Sequence, residues 1–210
     1  AAGVSLTSLS WAQKQNIQTA NDYLRDKDYD KAVEYINIAV NNPDTKDNVK
    51  AWFTRGNIYM AMQNESGKNA NSPYREAATS FLKAAQLDAK YEKDAVTQAL
   101  IVAAYNYYND AVGAYNKKEY EQAMQLAKST VDIHDMEGGK RFANKGFDTV
   151  SASALMIESY SALYAKKYDE ALVLLQALKA NPIEKNANVY LALVDVYRNL
   201  NKDAEMIAII

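Results

Sequence analysis

Apolar residues recur along this chain three and four positions apart, in long segments separated by short polar breaks. That period puts them on one face of an α-helix and not on a strand. It predicts helices over 11–26, 30–42, 46–63, 73–88, 91–117, 119–133, 148–166, 168–180, 186–200 and 202–210. Two breaks are longer than the rest. Residues 64–73, with Gly67 and Pro73, read as an exposed polar loop. His134 to Phe147, with Gly138, Gly139 and Gly146, reads as a long connection, and Asp148 after it is a plausible N-cap.

The segments repeat. Tyr29-Asp-Lys-Ala32, Tyr74-Arg-Glu-Ala77, Tyr120-Glu-Gln-Ala123 and Tyr168-Asp-Glu-Ala171 share one pattern, and their alanines lie 45, 46 and 48 residues apart. Each alanine opens the same stripe: Ala32, Val33, Ile36 and Ala39; Ala77, Ala78, Phe81 and Ala84; Ala123, Met124, Ala127 and Thr130; Ala171, Leu172, Leu175 and Leu178. Ala20, Ala111 and Ser159 stand nine residues before Tyr29, Tyr120 and Tyr168, and Gly56 stands eighteen before Tyr74. Each unit therefore reads as a helix pair. A small residue on the first helix, A, lets the second, B, approach closely, and the tyrosine closes the turn between them. One pair cannot bury its apolar face alone, whereas stacked pairs share a core.

This pattern resembles the tetratricopeptide repeat family, most closely through Trp52, Gly56, Tyr59, Ala77, Phe81 and Ala84. The resemblance covers nearly everything from Gln13 onward. It implies an all-α, right-handed superhelical solenoid of about five tetratricopeptide-like helix pairs, near 13–43, 49–89, 91–133, 148–182 and 186–210. In that family the A helices line a concave face that binds protein or peptide partners. The matching positions are Lys14, Ile17, Gln18, Asn21 and Leu24; Lys50, Phe53, Thr54, Asn57 and Met60; Tyr105, Tyr108, Asn109, Val112 and Tyr115; Met156, Ile157, Tyr160 and Tyr164. Lys14, Asn21, Lys50, Phe53, Asn57, Tyr105, Tyr108, Asn109, Tyr160 and Tyr164 are the expected partner-binding residues. Any of these tyrosines could instead pack between neighbouring A helices. Some family members clamp C-terminal carboxylates with Lys, Arg and Asn. Here Tyr105 and Asn109 occupy the third-repeat positions where basic residues would stand, which argues against that mode.

Composition narrows the chemistry. The charge is nearly balanced, 24 Lys+Arg against 26 Asp+Glu, which excludes a polybasic nucleic-acid binder. The absence of cysteine excludes disulfides, thiolate metal sites and a thiol nucleophile. His134 is the single histidine. A metal reading would use it with Asp135 and Glu137, but consecutive carboxylates around one His lack ligand spacing, and a solvated loop is the preferred reading. No phosphate-cradling glycine motif and no nucleophile elbow occurs. No cofactor, metal or enzymatic activity is expected. Asp148-Thr149-Val150 matches a short pattern used for O-glycosylation in some bacterial periplasms, behind the capping role of Asp148. No apolar run is long enough to span a membrane.

Residues 1–12 read as a signal-peptide remnant or an N-terminal arm. Ser10 and Ala12 before Gln13 fit a signal-peptidase site, which suggests a periplasmic or secreted protein resembling exported bacterial tetratricopeptide proteins. The alternatives are a capping box from Ser10 to Gln13 and a cytoplasmic location. The apolar run Met206 to Ile210 suggests that the natural chain continues. The expected function is a non-enzymatic protein–protein scaffold. The alternative is a carbohydrate-binding module, or an accessory module of a larger enzyme or envelope complex.

Overall fold

The structure, a computed structural model, describes residues 6–66, 72–183 and 187–209, with side chains from residue 15 onward. Among these residues it is all-helical. The ten α-helices are α1 (Leu6–Arg25), α2 (Tyr29–Asn41), α3 (Val49–Ser66), α4 (Pro73–Leu87), α5 (Lys93–Asn116), α6 (Tyr120–Asp135), α7 (Asp148–Tyr164), α8 (Tyr168–Ala180), α9 (Asn188–Asn199) and α10 (Asp203–Ile209). They pack in consecutive pairs. The chain divides into two compact units, 1–103 and 104–210, and the boundary falls inside α5.

In the first unit, Ala20 of α1, Ala32, Ile36 and Ala39 of α2, and Ala51 and Ile58 of α3 are completely or almost completely buried in one core. The small residues work as their spacing suggests, because a residue without bulk lets two helix axes close to ridge-in-groove distance. In the second unit, Ala111, Ala123, Ala127 and Ala154 form a second core. Ala171, Leu175, Leu178, Leu193 and Val196 form a third. Thr130, which breaks the alanine pattern, is buried, and its hydroxyl donates to the Ala104 carbonyl at 3.2 Å.

One turn recurs within the pairs. Lys27, Lys118, Lys166 and Asn201, each two residues before the next helix begins, have φ of 61°, 63°, 61° and 55°. At each, two hydrogen bonds close the turn. Asp28 N–H bonds to Tyr23 O and Lys27 N–H to Leu24 O; the same pattern joins Glu119 to Ala114, Lys167 to Ala162 and Lys202 to Tyr197. This is the Schellman C-cap, with Lys or Asn where glycine is usual.

Several boundaries differ from expectation. Helix α3 starts at Val49 rather than 46, because the Asn48 side chain accepts from the Lys50 and Ala51 N–H groups at 3.0 and 3.3 Å and caps it there. The same helix runs on to Ser66, so the expected loop 64–73 shortens; residues 67–71 of it lie outside the described residues. Helix α1 begins at Leu6 and passes through Ser10, so Ser10 is not an N-cap. The cleavage-site reading depends on side chains of residues 1–12, which lie outside the described residues, as does Ile210 of the apolar end.

The connection 134–147 is anchored by buried Arg141, Phe142 and Phe147, while Asp135, Glu137, Gly138, Lys140 and residues 143–146 stay exposed. Met136–Phe142 forms a 3₁₀ segment with left-handed residues at Glu137, Gly138 and Gly139. Phe142 and Phe147 are fully buried against each other, with ring centroids 5.2 Å apart. The Arg141 side chain is 0% exposed and donates twice to Glu137, at 2.9 and 2.7 Å. Asp148 is the first residue of α7 and not its cap, a position that Phe147 takes. Its carboxylate meets His134 Nε2 at 2.9 Å instead, while His134 Nδ1 meets Asp135 at 2.8 Å. His134 is thus a bracket between α6 and α7, with only 19% of its side chain exposed.

Candidate functional site

The expected partner-binding residues fall in both units. Asn21, Lys50, Phe53 and Asn57 belong to the first, and Tyr105, Tyr108, Asn109, Tyr160 and Tyr164 to the second. The Lys14 side chain lies outside the described residues. Asn21 spends its amide within the fold, donating to Ile17 O at 2.9 Å and to the Thr54 hydroxyl at 3.3 Å. Phe53 is half-buried, edge-on to Phe81 and to Tyr91, with ring centroids 6.0 and 5.6 Å away. Asn57 is half-buried, whereas Lys50 is exposed and borders a hollow of about 220 Å³ with Ile17, Gln18 and Asn48.

In the second unit, Tyr108 is half-buried in the core around Ala111. Tyr105 is exposed on one side and lies 6.3 Å from the Phe147 ring, and Asn109 is exposed. Tyr160 and Tyr164 enter a groove of about 490 Å³. Met156, Ile157, Tyr160, Leu163 and Tyr164 of α7 form one wall; Asn188, Leu191, Ala192 and Asp195 of α9 form the other; Tyr115 of α5 closes it. Both walls are one helical face, spaced three and four residues apart. The α9 residues were not among the expected ones. Their signal was present: Leu191, Ala192 and Asp195 repeat the spacing of Met156, Ile157 and Tyr160 one unit later.

The tyrosines form a cluster. Tyr164 lies 5.2 Å from Tyr120, 6.2 Å from Tyr115 and 6.4 Å from Tyr160. Burial, followed by the neighbouring Tyr164 hydroxyl, pushes Tyr115 up to about 12, so its phenol stays protonated. The Tyr160 hydroxyl is sequestered from solvent. Tyr164 is 51% exposed and Leu191 69%, so the groove presents a ring and an aliphatic side chain to any visitor. Exposed apolar groups lined up on two facing helices are the usual mark of a contact surface.

On the α6–α8 side of α7, Glu158 is only 5% exposed. Burial, with Asp132, Glu170 and Asp135 nearby, outweighs Lys128 and pushes its carboxyl up to about 7. Lys128 gives its ammonium to Asp132 at 2.6 and 2.8 Å. Among the described residues no cluster of three or more His, Asp or Glu could hold a metal, and no helix is long and apolar enough to cross a membrane. The chain matches no protein-family model and no curated protein sequence.

Proposed function

We propose that the chain is a non-enzymatic scaffold of tetratricopeptide type, built as a right-handed solenoid, that binds a protein or peptide partner along its A helices. The observation that carries this reading is the groove between α7 and α9, where Tyr164 and Leu191 stand exposed beside Tyr115 and Tyr160. Tyrosine offers a large, stiff contact area with little rotamer entropy to lose, which suits protein interfaces. The repeated small residues and repeated turns support the family reading. Export, read from residues 1–12, belongs to the same proposal, and fractionation of the native host tests it.

The binding test compares the immobilised full chain with a Tyr164→Ala/Leu191→Ala variant in extract of the native host. A protein retained by the native chain and lost by the variant, with helical circular dichroism unchanged, supports the proposal. Equal retention by both moves the interface off this groove. Capture of an oligosaccharide on a glycan array, dependent on Tyr164, would replace the reading with the carbohydrate-binding one.

A further inference from the structure

The groove of about 490 Å³ is lined by aromatic and aliphatic side chains, and its lining holds a single charge, Asp195. No Lys or Arg lines it. The basic residues nearest in sequence are Lys117, Lys118, Lys166 and Lys167 in the turns after α5 and α7, Lys185 ahead of α9, and Arg198 one turn after Asp195 on α9; Lys167 pairs with Glu121 at 3.7 Å. The Tyr115 and Tyr164 rings lie 6.2 Å apart, and the Tyr160 hydroxyl is out of solvent reach. What the lining offers an occupant is mainly ring face and aliphatic surface, and an aromatic face carries the negative part of the ring quadrupole. Asp195 adds a carboxylate that is exposed; among the described residues it accepts only a long 3.4 Å contact, from the Asn199 amide.

We propose that this groove receives a basic side chain, Lys or Arg, of a partner polypeptide, seated against Tyr160 and Tyr164 and facing Asp195, with an apolar neighbour on Leu191. The inference rests on the protein-binding reading above and names the chemistry of its ligand. Electrostatic complementarity selects the sign: a phosphate or a C-terminal carboxylate would meet Asp195 and the negative ring faces with no compensating cation in the lining. A neutral sugar would need several hydrogen-bonding groups, and the lining is mostly ring and aliphatic side chain, with the Tyr160 hydroxyl out of solvent reach. One carboxylate above an apolar floor fits one basic residue beside an apolar one, not a polybasic run. The volume falls within the range of small-ligand sites, enough for a few side chains.

The test is selection of a phage-displayed random dodecapeptide library on the full chain. It is followed by titration of the best synthetic peptide and of its counterpart with citrulline for Arg, or acetyl-lysine for Lys. The expected result is enrichment of Arg or Lys next to Leu, Ile, Val or Phe. Neutralising the basic residue should then weaken binding about tenfold. Asp195→Asn, which keeps the shape, should remove most of that difference, and Tyr164→Leu, which keeps apolar area but not the ring face, should weaken the basic peptide more than its neutral counterpart. Peptides that need Leu191 and Tyr164 but ignore the neutralisation and Asp195→Asn would overturn the cationic ligand and leave the peptide-binding reading standing. No enrichment, or peptides indifferent to Tyr164→Leu and Leu191→Ala with circular dichroism intact, would overturn both.

Discussion

Gly56 of α3 faces the Phe81 ring of α4 so closely that a Cβ on residue 56 would lie 2.7 Å from two ring carbons. Phe81 is 1% exposed and closed in by the core, so the ring has nowhere to retreat. The α3–α4 pair is therefore set at a spacing that only glycine permits. Gly56→Ala should cost about 1–3 kcal/mol by overpacking, read as a lower urea midpoint at unchanged slope. Adding Phe81→Leu should recover part of that loss, because it removes the ring atoms the new methyl meets. An unchanged midpoint for Gly56→Ala would mean that the two helices are not held at this distance.

Glu158 predicts a pH dependence. Its folded-state carboxyl titrates near 7, against an ordinary value of 4.5. Between these values the folded chain holds a proton that the unfolded chain has released, so stability falls as pH rises through this window and levels off above it. Glu158→Gln should flatten that slope and stabilise the protein at pH 8 by about 1–2 kcal/mol. Thermal melts of both chains at pH 5 and pH 8 check this; parallel shifts in the two would place the titration elsewhere.

His134 acts in the same direction for another reason. Burial works against its charged form, but bonds to Asp148 and Asp135 prevail and raise its pKa above the ordinary 6.5. Two carboxylates can only accept, so both ring nitrogens carry protons in the best-bonded state. A raised folded-state pKa gives stability that is complete below the unfolded value and lost as pH rises through the folded one. His134→Gln should cost about 1 kcal/mol at pH 5.5 and less at pH 8. NMR titration of the His134 ring should show a midpoint above that of an unfolded control.

Arg141 and Glu137 hold the 3₁₀ segment from inside. Since the Arg141 side chain is 0% exposed, removing the Glu137 carboxylate takes a charge-assisted partner from a guanidinium held in the interior. Glu137→Gln should be destabilising by about 1–3 kcal/mol, and Arg141→Ala by about 3 kcal/mol or more. Limited proteolysis should then cut first within residues 136–147. Resistance equal to that of the native chain would mean that Phe142 and Phe147 alone hold the segment.

The helical register was legible because burial and period agree: Ala32, Ile36 and Ala39 share one face, and all three are buried. The 136–147 segment was not, because Phe142 and Phe147 carry no helical period and their burial depends on a left-handed run at Glu137, Gly138 and Gly139. The site was legible only in part. Phe53 and Met156 both stand three residues before the small residue of their A helices, yet Phe53 meets Phe81 and Tyr91 whereas Met156 lines an open groove. Spacing fixes which face a residue is on; the bulk of the neighbouring helices decides how far that face is covered.

The recurring turn at Lys27, Lys118, Lys166 and Asn201 bears on how the chain folds as well as on what it becomes. Each turn is closed by hydrogen bonds between residues three and five apart in sequence, so a helical hairpin can form with little loop entropy to overcome. Such hairpins are short-range nuclei, and a chain that contains several can start from more than one of them. A lysine held at positive φ costs about 1–2 kcal/mol relative to a right-handed residue, and it opposes closure at the step where the hairpin must turn back. Glycine at position 27, 118 or 166 would lift that opposition for one hairpin at a time, making folding order something that can be shifted along the chain one turn at a time.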